Sequence, residues 1–138
     1  MNGYELIGEL LRGSPAVTAL VPAERIKAGR LPDNVALPAL LIRTVSIVER
    51  HALKRVGWER VTARISVTVR AAAYRDQVVT IGAVRACCAG RTGAIGGAEN
   101  VSILTAGAGP DTSGPANSFE QGQDFRVSFD APIEGEEP

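Results

Sequence analysis

Trp58-Glu-Arg-Val-Thr-Ala-Arg-Ile-Ser-Val-Thr-Val-Arg-Ala71 is the stretch that decides the fold. Its odd positions Val61, Ala63, Ile65, Val67 and Val69 are apolar, and its even positions Arg60, Thr62, Arg64, Ser66, Thr68 and Arg70 are polar. Side chains alternate between the two faces of a strand, so a period of two sustained this long predicts an amphipathic strand with one face in a core and one in water. The wet face carries three arginines.

Upstream, Pro38 is followed by Ala-Leu-Leu-Ile-Arg-Thr-Val-Ser-Ile-Val to residue 48, a β-branched, apolar run that predicts a central strand buried on both faces. His51 to Gly57, basic and ending in glycine, then reads as the hairpin connection. Downstream, Tyr74 to Ala89 changes to helical spacing, with Val78, Ile81, Val84 and Cys88 facing one way and Arg75, Gln77 and Arg85 left for the surface. Gly90 and Gly93 end this helix.

At the start, Ile7, Leu10 and Leu11 share one side of an amphipathic helix over residues 4–12, with Glu5, Glu9 and Arg12 elsewhere. Ser14-Pro15 supplies an N-cap and a first helical position for a short turn through Val21. Residues 23–37, with Gly29, Pro32, Asp33 and Asn34, read as a connecting loop. Beyond the Gly-rich turn at 93–98, Val101 to Thr105 predicts a short strand and Phe125 to Phe129 a last one. Between them, residues 106–123 are rich in Gly, Pro, Ser and Asp, the composition of a long loop ordered by a partner. The expected fold is therefore α+β: a mostly antiparallel four-stranded sheet with helices on one face and a long loop before the last strand. One domain over residues 1–132 and a frayed acidic tail over 133–138 complete the expectation.

Composition narrows the class of function. The 138 residues are 45% hydrophobic, 22% charged and only 4% aromatic, with a mean hydropathy of +0.06. Val, Ile, Leu and Ala must build the core, which favours β-branched strand faces over an aromatic-lined pocket. No apolar run approaches the ~20 residues that span a bilayer, and the first residues lack a signal-peptide pattern, so no membrane partner is expected. Cys87 and Cys88 are adjacent, a poor geometry for a disulfide, and with His51 the only histidine no zinc-ligand set exists. Charge is uneven along the chain: residues 25–91 hold 13 basic against 4 acidic residues, and residues 92–138 hold 1 against 8. Such a partition suits copies that pair head to tail, and equally describes solvated faces that segregate in sequence.

Catalytic signatures are missing from the pattern. His51 lies in a basic turn with no cue tying it to a nucleophile or carboxylate. The 93–97 glycines lack the Lys-Ser/Thr ending of a phosphate loop, and Gly107-Ala108-Gly109 lacks the third glycine of a dinucleotide site. No cofactor, metal or catalytic residue is assigned. Arg60, Arg64 and Arg70 can meet phosphates in a line, yet no aromatic residue inside the strand can stack a base. Acidic residues of a second copy explain the same arginines and are the preferred partner.

A family resemblance rests on several weak motifs in a fixed order. They are the N-terminal amphipathic helix, Ser-Pro-Ala-Val-Thr-Ala-Leu-Val at 14–21 leading to Arg25-Ile26, and Ala36-Leu37-Pro38-Ala39-Leu40-Leu41-Ile42. The strand Val61 to Ala71, the helix from Arg75-Asp76 and the closing Asp124-Phe125-Arg126-Val127 follow. In this order the chain resembles the phage tail-completion, or tail-terminator, proteins. The resemblance implies a non-enzymatic virion subunit, made in the host cytoplasm, that forms a ring, commonly hexameric, at the head–tail junction. It further implies a tail tube protein and a head connector as partners, with DNA passing through the lumen without sequence-specific binding. Within that role, Arg43, Arg60, Arg64, Arg70, Asp124 and Asp130 are the candidate subunit-interface residues. Asp111, Asn117, Phe119 and Glu120 are the candidates for a docking loop. A head-completion or neck protein is the alternative, followed by a DNA-contacting protein that uses the arginine strand.

Overall fold

A computed structural model describes residues 2–50 and 58–132. The expected hairpin connection at 51–57 and the expected acidic tail at 133–138 lie outside these residues. The chain runs α1 (Gly3–Arg12), α2 (Pro15–Thr18), β1 (Ile26–Ala28), β2 (Ala39–Arg50), β3 (Trp58–Ala71), α3 (Tyr74–Cys88), β4 (Thr92–Ile95), β5 (Ala98–Ala108), β6 (Thr112–Ser113) and β7 (Phe119–Pro132). Single 3₁₀ turns stand at Ala23–Arg25 and Pro115–Asn117.

The α+β class holds, but the sheet has seven strands where periodicity predicts four, in the order β1-β2-β3-β7-β5-β4 with β6 beside β7. It is mixed, because β1 runs parallel to β2 while the other pairs are antiparallel. The extra strands are two to four residues long, too short for an alternation to be read. Residues 23–37 thus contain β1 as well as a loop. In place of a long loop at 106–123, β5 continues to Ala108 and β7 begins at Phe119, with β6 paired to it between.

The long alternating strand lies in the middle of this sheet. β3 pairs with β2 on one side and, in unbroken register from Trp58↔Pro132 to Ala71↔Phe119, with β7 on the other. Its odd side chains enter the core as the pattern predicts, and Ile65, Val67 and Val69 are fully buried together with Phe125 and Val127 of β7. α1 covers this face with Leu6, Ile7 and Leu11. It starts from a capping box in which Asn2 and Glu5 bond each other's backbone N–H groups at 3.2 Å. Gly3 lets the helix come close to the sheet, since a Cβ there would stand 3.1 Å from that of Ala63. The β4–β5 turn places Gly96 and Gly97 at φ 56° and 88°, the two left-handed positions that a two-residue hairpin needs.

Two other elements depart from expectation. β2 is buried only as far as Ile42; Arg43 to Glu49 are all exposed, because β1 and α1 end their cover there. The register on β3 skips Val45, a bulge between Thr44 and Ser46 that bends the strand as it leaves this cover. In α3 the buried face is Gln77, Thr80, Ile81, Val84, Cys87 and Cys88, so Gln77 lies inside while Val78 faces outward beside Val79.

Phe125 is the largest fully buried side chain. Its replacement by alanine is expected to lower stability by about 3–5 kcal/mol, whereas Val48→Ala on the exposed end of β2 stays within about 0.5 kcal/mol. Urea unfolding of both variants tests the contrast.

Candidate interaction surfaces

The arginines of β3 stand on the outer sheet face, away from the helices, and the register brings acidic residues of β7 beside them. Arg60 lies directly across from Asp130 and Arg70 from Glu120, while Arg64 reaches diagonally to Asp124. The ion pairs measure 3.1 Å for Arg60–Asp130, 2.7 Å for Arg64–Asp124 and 2.6 Å for Arg70–Glu120. Each guanidinium also donates to a backbone carbonyl: Arg60 to Asn100, Arg64 to Ala106 and Arg70 to Pro32, at 2.7–2.9 Å. Between the first two pairs, Thr62 and Ser128 share a hydroxyl hydrogen bond of 3.0 Å.

The charge partition of the sequence therefore closes on itself here, the basic segment's β3 lying against the acidic segment's β7. Arg60 and Arg64 are about two-fifths exposed and each such pair adds roughly 0–1 kcal/mol. Arg70 differs, being 9% exposed with Glu120 at 20%, so loss of Glu120 would leave a largely dry guanidinium. Asp130 also accepts from Asn100 Nδ2 at 2.6 Å, and this bond, with that from Arg60, holds its carboxyl below the ordinary range. Arg43, on the neighbouring β2 across from Ser66, is exposed and borders a groove of about 330 Å³ shared with Tyr4, Ala28, Gly29, Ile42 and Thr44.

A second surface forms where residues 109–120 meet α3. Asp111 accepts from the Tyr74 hydroxyl at 2.9 Å and from Gln77 Nε2 at 2.8 Å. Gln77 also donates to Gln121 Oε1 at 3.2 Å, and Arg85 donates to the buried Gln123 at 2.9 Å. This amide network, invisible in a hydrophobic pattern, explains why α3 turns Gln77 inward. Phe119 meets Tyr74 edge to face at 5.9 Å. Asn117 takes φ 60° in the exposed 3₁₀ turn. Of the four docking-loop residues, Asp111, Phe119 and Glu120 are thus held within the chain, and Asn117 stands at the tip. The Asp111 carboxylate raises the Tyr74 pKa, first through the hydrogen bond that the neutral phenol donates and then through charge repulsion against the phenolate.

The third surface is the far end of β2, which residue patterns alone read as interior. Val45, Ile47 and Val48 are 56%, 55% and 56% exposed. Ser46 and Glu49 interrupting the apolar run are the sequence signal for it.

These surfaces belong to a fold already seen in an assembled particle. A family model described as tail completion protein gp17 matches residues 5–129. The chain belongs to this family. Its fold is also similar to that of a chain in a solved structure titled "Virion of native gene transfer agent (GTA) particle", with a TM-score of 0.69 and 14% identity over 93% of this chain and 94% of that one. Among curated proteins, none matches this sequence.

Membership makes the chain a structural protein of a phage-type virion tail. In this tail completion protein Cys87 and Cys88 are free and buried. A hydrogen bond from Cys88 lowers the Cys87 pKa to about 6, while that bond and burial raise Cys88. Among the described residues no three His, Cys, Asp or Glu side chains gather as a metal site, and no helix is long and apolar enough to cross a membrane.

Two measurements address the polar contacts. Asp130 has a depressed folded pKa, so its stabilisation is present above the ordinary carboxylate range and lost as pH falls through the lowered value. The stability gap between the native chain and Asp130→Asn, followed by thermal melts, should therefore narrow on acidification. In a Tyr4→Phe background, which leaves Tyr74 as the only tyrosine, Asp111→Asn should move the phenolate absorbance titration down toward ordinary phenol values.

Proposed function

We propose that this chain forms a ring on the head-proximal end of the tail tube, where it stops tube growth and presents a docking surface to the head connector. The observation that carries this reading is the family match over residues 5–129. The work is done by surfaces, with no bond made or broken. DNA passes through the lumen without sequence readout.

The geometry favours this role over a DNA-contacting one. Arg60, Arg64 and Arg70 are each already ion-paired, to Asp130, Asp124 and Glu120, and bonded to a backbone carbonyl. A phosphate would have to compete with carboxylates held at bonding distance. In the ring, the same ladder, with Arg43 beside it, serves as a rigid polar face whose ions a neighbouring copy meets in fixed positions. The 3₁₀ turn at Asn117, together with Asp111, Phe119 and Glu120, forms the docking element, pre-shaped by the amide network.

Electron microscopy of the purified protein mixed with tail tubes tests the proposal. Rings seated on one end of the tubes are the expected result. A monomer that persists at high concentration and leaves tubes bare overturns it.

A further inference from the structure

The sheet ends in two unlike open edges. On one side, β1 pairs only with Leu40 to Ile42. From Arg43 to Glu49 β2 pairs with β3 alone among the described residues, and its side chains are exposed on both faces. On the other side, β4 pairs with β5 alone, and Thr92, Gly93 and Ala94 are exposed. Unpaired edges of this kind take up strands from other chains unless lysine, proline or a covering element blocks them. Neither Arg43–Glu49 nor Thr92–Ile95 contains lysine or proline. The bulge at Val45 bends β2 but leaves Ser46 to Glu49 uncovered, and β4, four residues long with a register shift between Gly93 and Ile95, keeps its outer side open among the described residues. β3, the strand whose arginines suggest pairing between copies, has both of its edges filled by β2 and β7.

We propose that the exposed part of β2, residues 43–49, pairs antiparallel with β4 of the next copy, so that one continuous sheet passes from subunit to subunit. This rests on the ring reading above and names the contact that builds the ring. Charge selects the direction. The β2 segment starts at exposed Arg43 and ends at exposed Glu49, and exposed Arg91 stands just before β4. Antiparallel pairing brings Glu49 toward Arg91, whereas parallel pairing sets Arg43 beside Arg91. Glycine and alanine at 93 and 94 let Val45, Ile47 and Val48 approach and lose their exposure to water. Because the two edges differ and close opposite ends of one sheet, the contact is head to tail and repeats by rotation into a ring. Pairing of β2 with β2 would also match charges but stops at two copies.

Cross-linking tests the contact. Cysteine is placed in turn at Ser46, Ile47 and Val48, and separately at Ala94; the native thiols are buried and left unchanged. Each β2 variant is mixed with Ala94→Cys, oxidised briefly, and read on non-reducing gels beside native mass spectra. The expected result is a mixed dimer between a β2 variant and the Ala94→Cys chain, and in the double variant a covalent ladder that ends at the ring's copy number. Val48→Lys should abolish rings while keeping the circular dichroism and melting temperature of the parent, since Val48 is not in the core. Self-dimers of the β2 variants overturn the proposal in favour of a two-fold contact, and cross-links from β2 to added tube protein overturn it in favour of tube docking. Rings that form without any 46–48 to 94 cross-link overturn the edge assignment but leave the ring. Absence of rings, with or without tubes, overturns both.

Discussion

The unbroken antiparallel pairing of β3 with β7 is the constraint on which the rest of the molecule depends. Both strands are 14 residues long and stay in register throughout. One set of alternate residues stacks Ile65 against Phe125 and Ala63 against Val127 under the helices. The other set forms the row of arginine–carboxylate and hydroxyl pairs. A slip of one residue would invert both faces at once, placing valines in water and arginines under α1. The ion pairs need not contribute much energy to matter; with the apolar alternation they fix a single register, and everything attached to β3 and β7 inherits its position from it.

That arrangement separates two jobs within one sheet. The centre is closed: the backbone of β3 is paired on both sides and its three arginines are answered by carboxylates of the same chain. The margins are not. Among the described residues, no further strand pairs with the outer sides of β4 and of β2 beyond Ile42, and three large aliphatic side chains stand in water on β2. For a member of a tail completion family, a rigid centre with unsaturated margins is a sensible division, because assembly can add contacts at the rims without disturbing the core that positions them.

Legibility in the sequence tracked the length of each pattern. β3 and α1 span enough residues for their periods to show, and α3 was visible as a helix. The three shortest strands, at 26–28, 92–95 and 112–113, had none to show. The first part of β7 was hidden for a different reason: Glu120, Gln121, Gly122 and Gln123 are polar or small on both faces, since their inner side meets Gln77 and Arg85 instead of aliphatic groups. β2 misled in the opposite direction. Its composition is that of an interior strand, with Ser46 and Glu49 as polar hints, and the tertiary fact that β1 and α1 stop short leaves Val45, Ile47 and Val48 outside. The arginines were legible as one face of β3 and Asp124 and Asp130 as acidic candidates, but not their pairing within one chain across 50 to 70 positions of sequence.

The lone tryptophan gives this architecture a built-in reporter. Trp58 opens β3 with half its surface in solvent, paired in register with the last residue of β7 and close to Asn100 and Asp130. Its indole sits at the end of the sheet where β2 stops and β3 starts, so any body that settles on that end dries the ring and shifts its fluorescence to shorter wavelength. With no second indole to mask the change, association at this end of the molecule carries its own optical signal in the unlabelled protein.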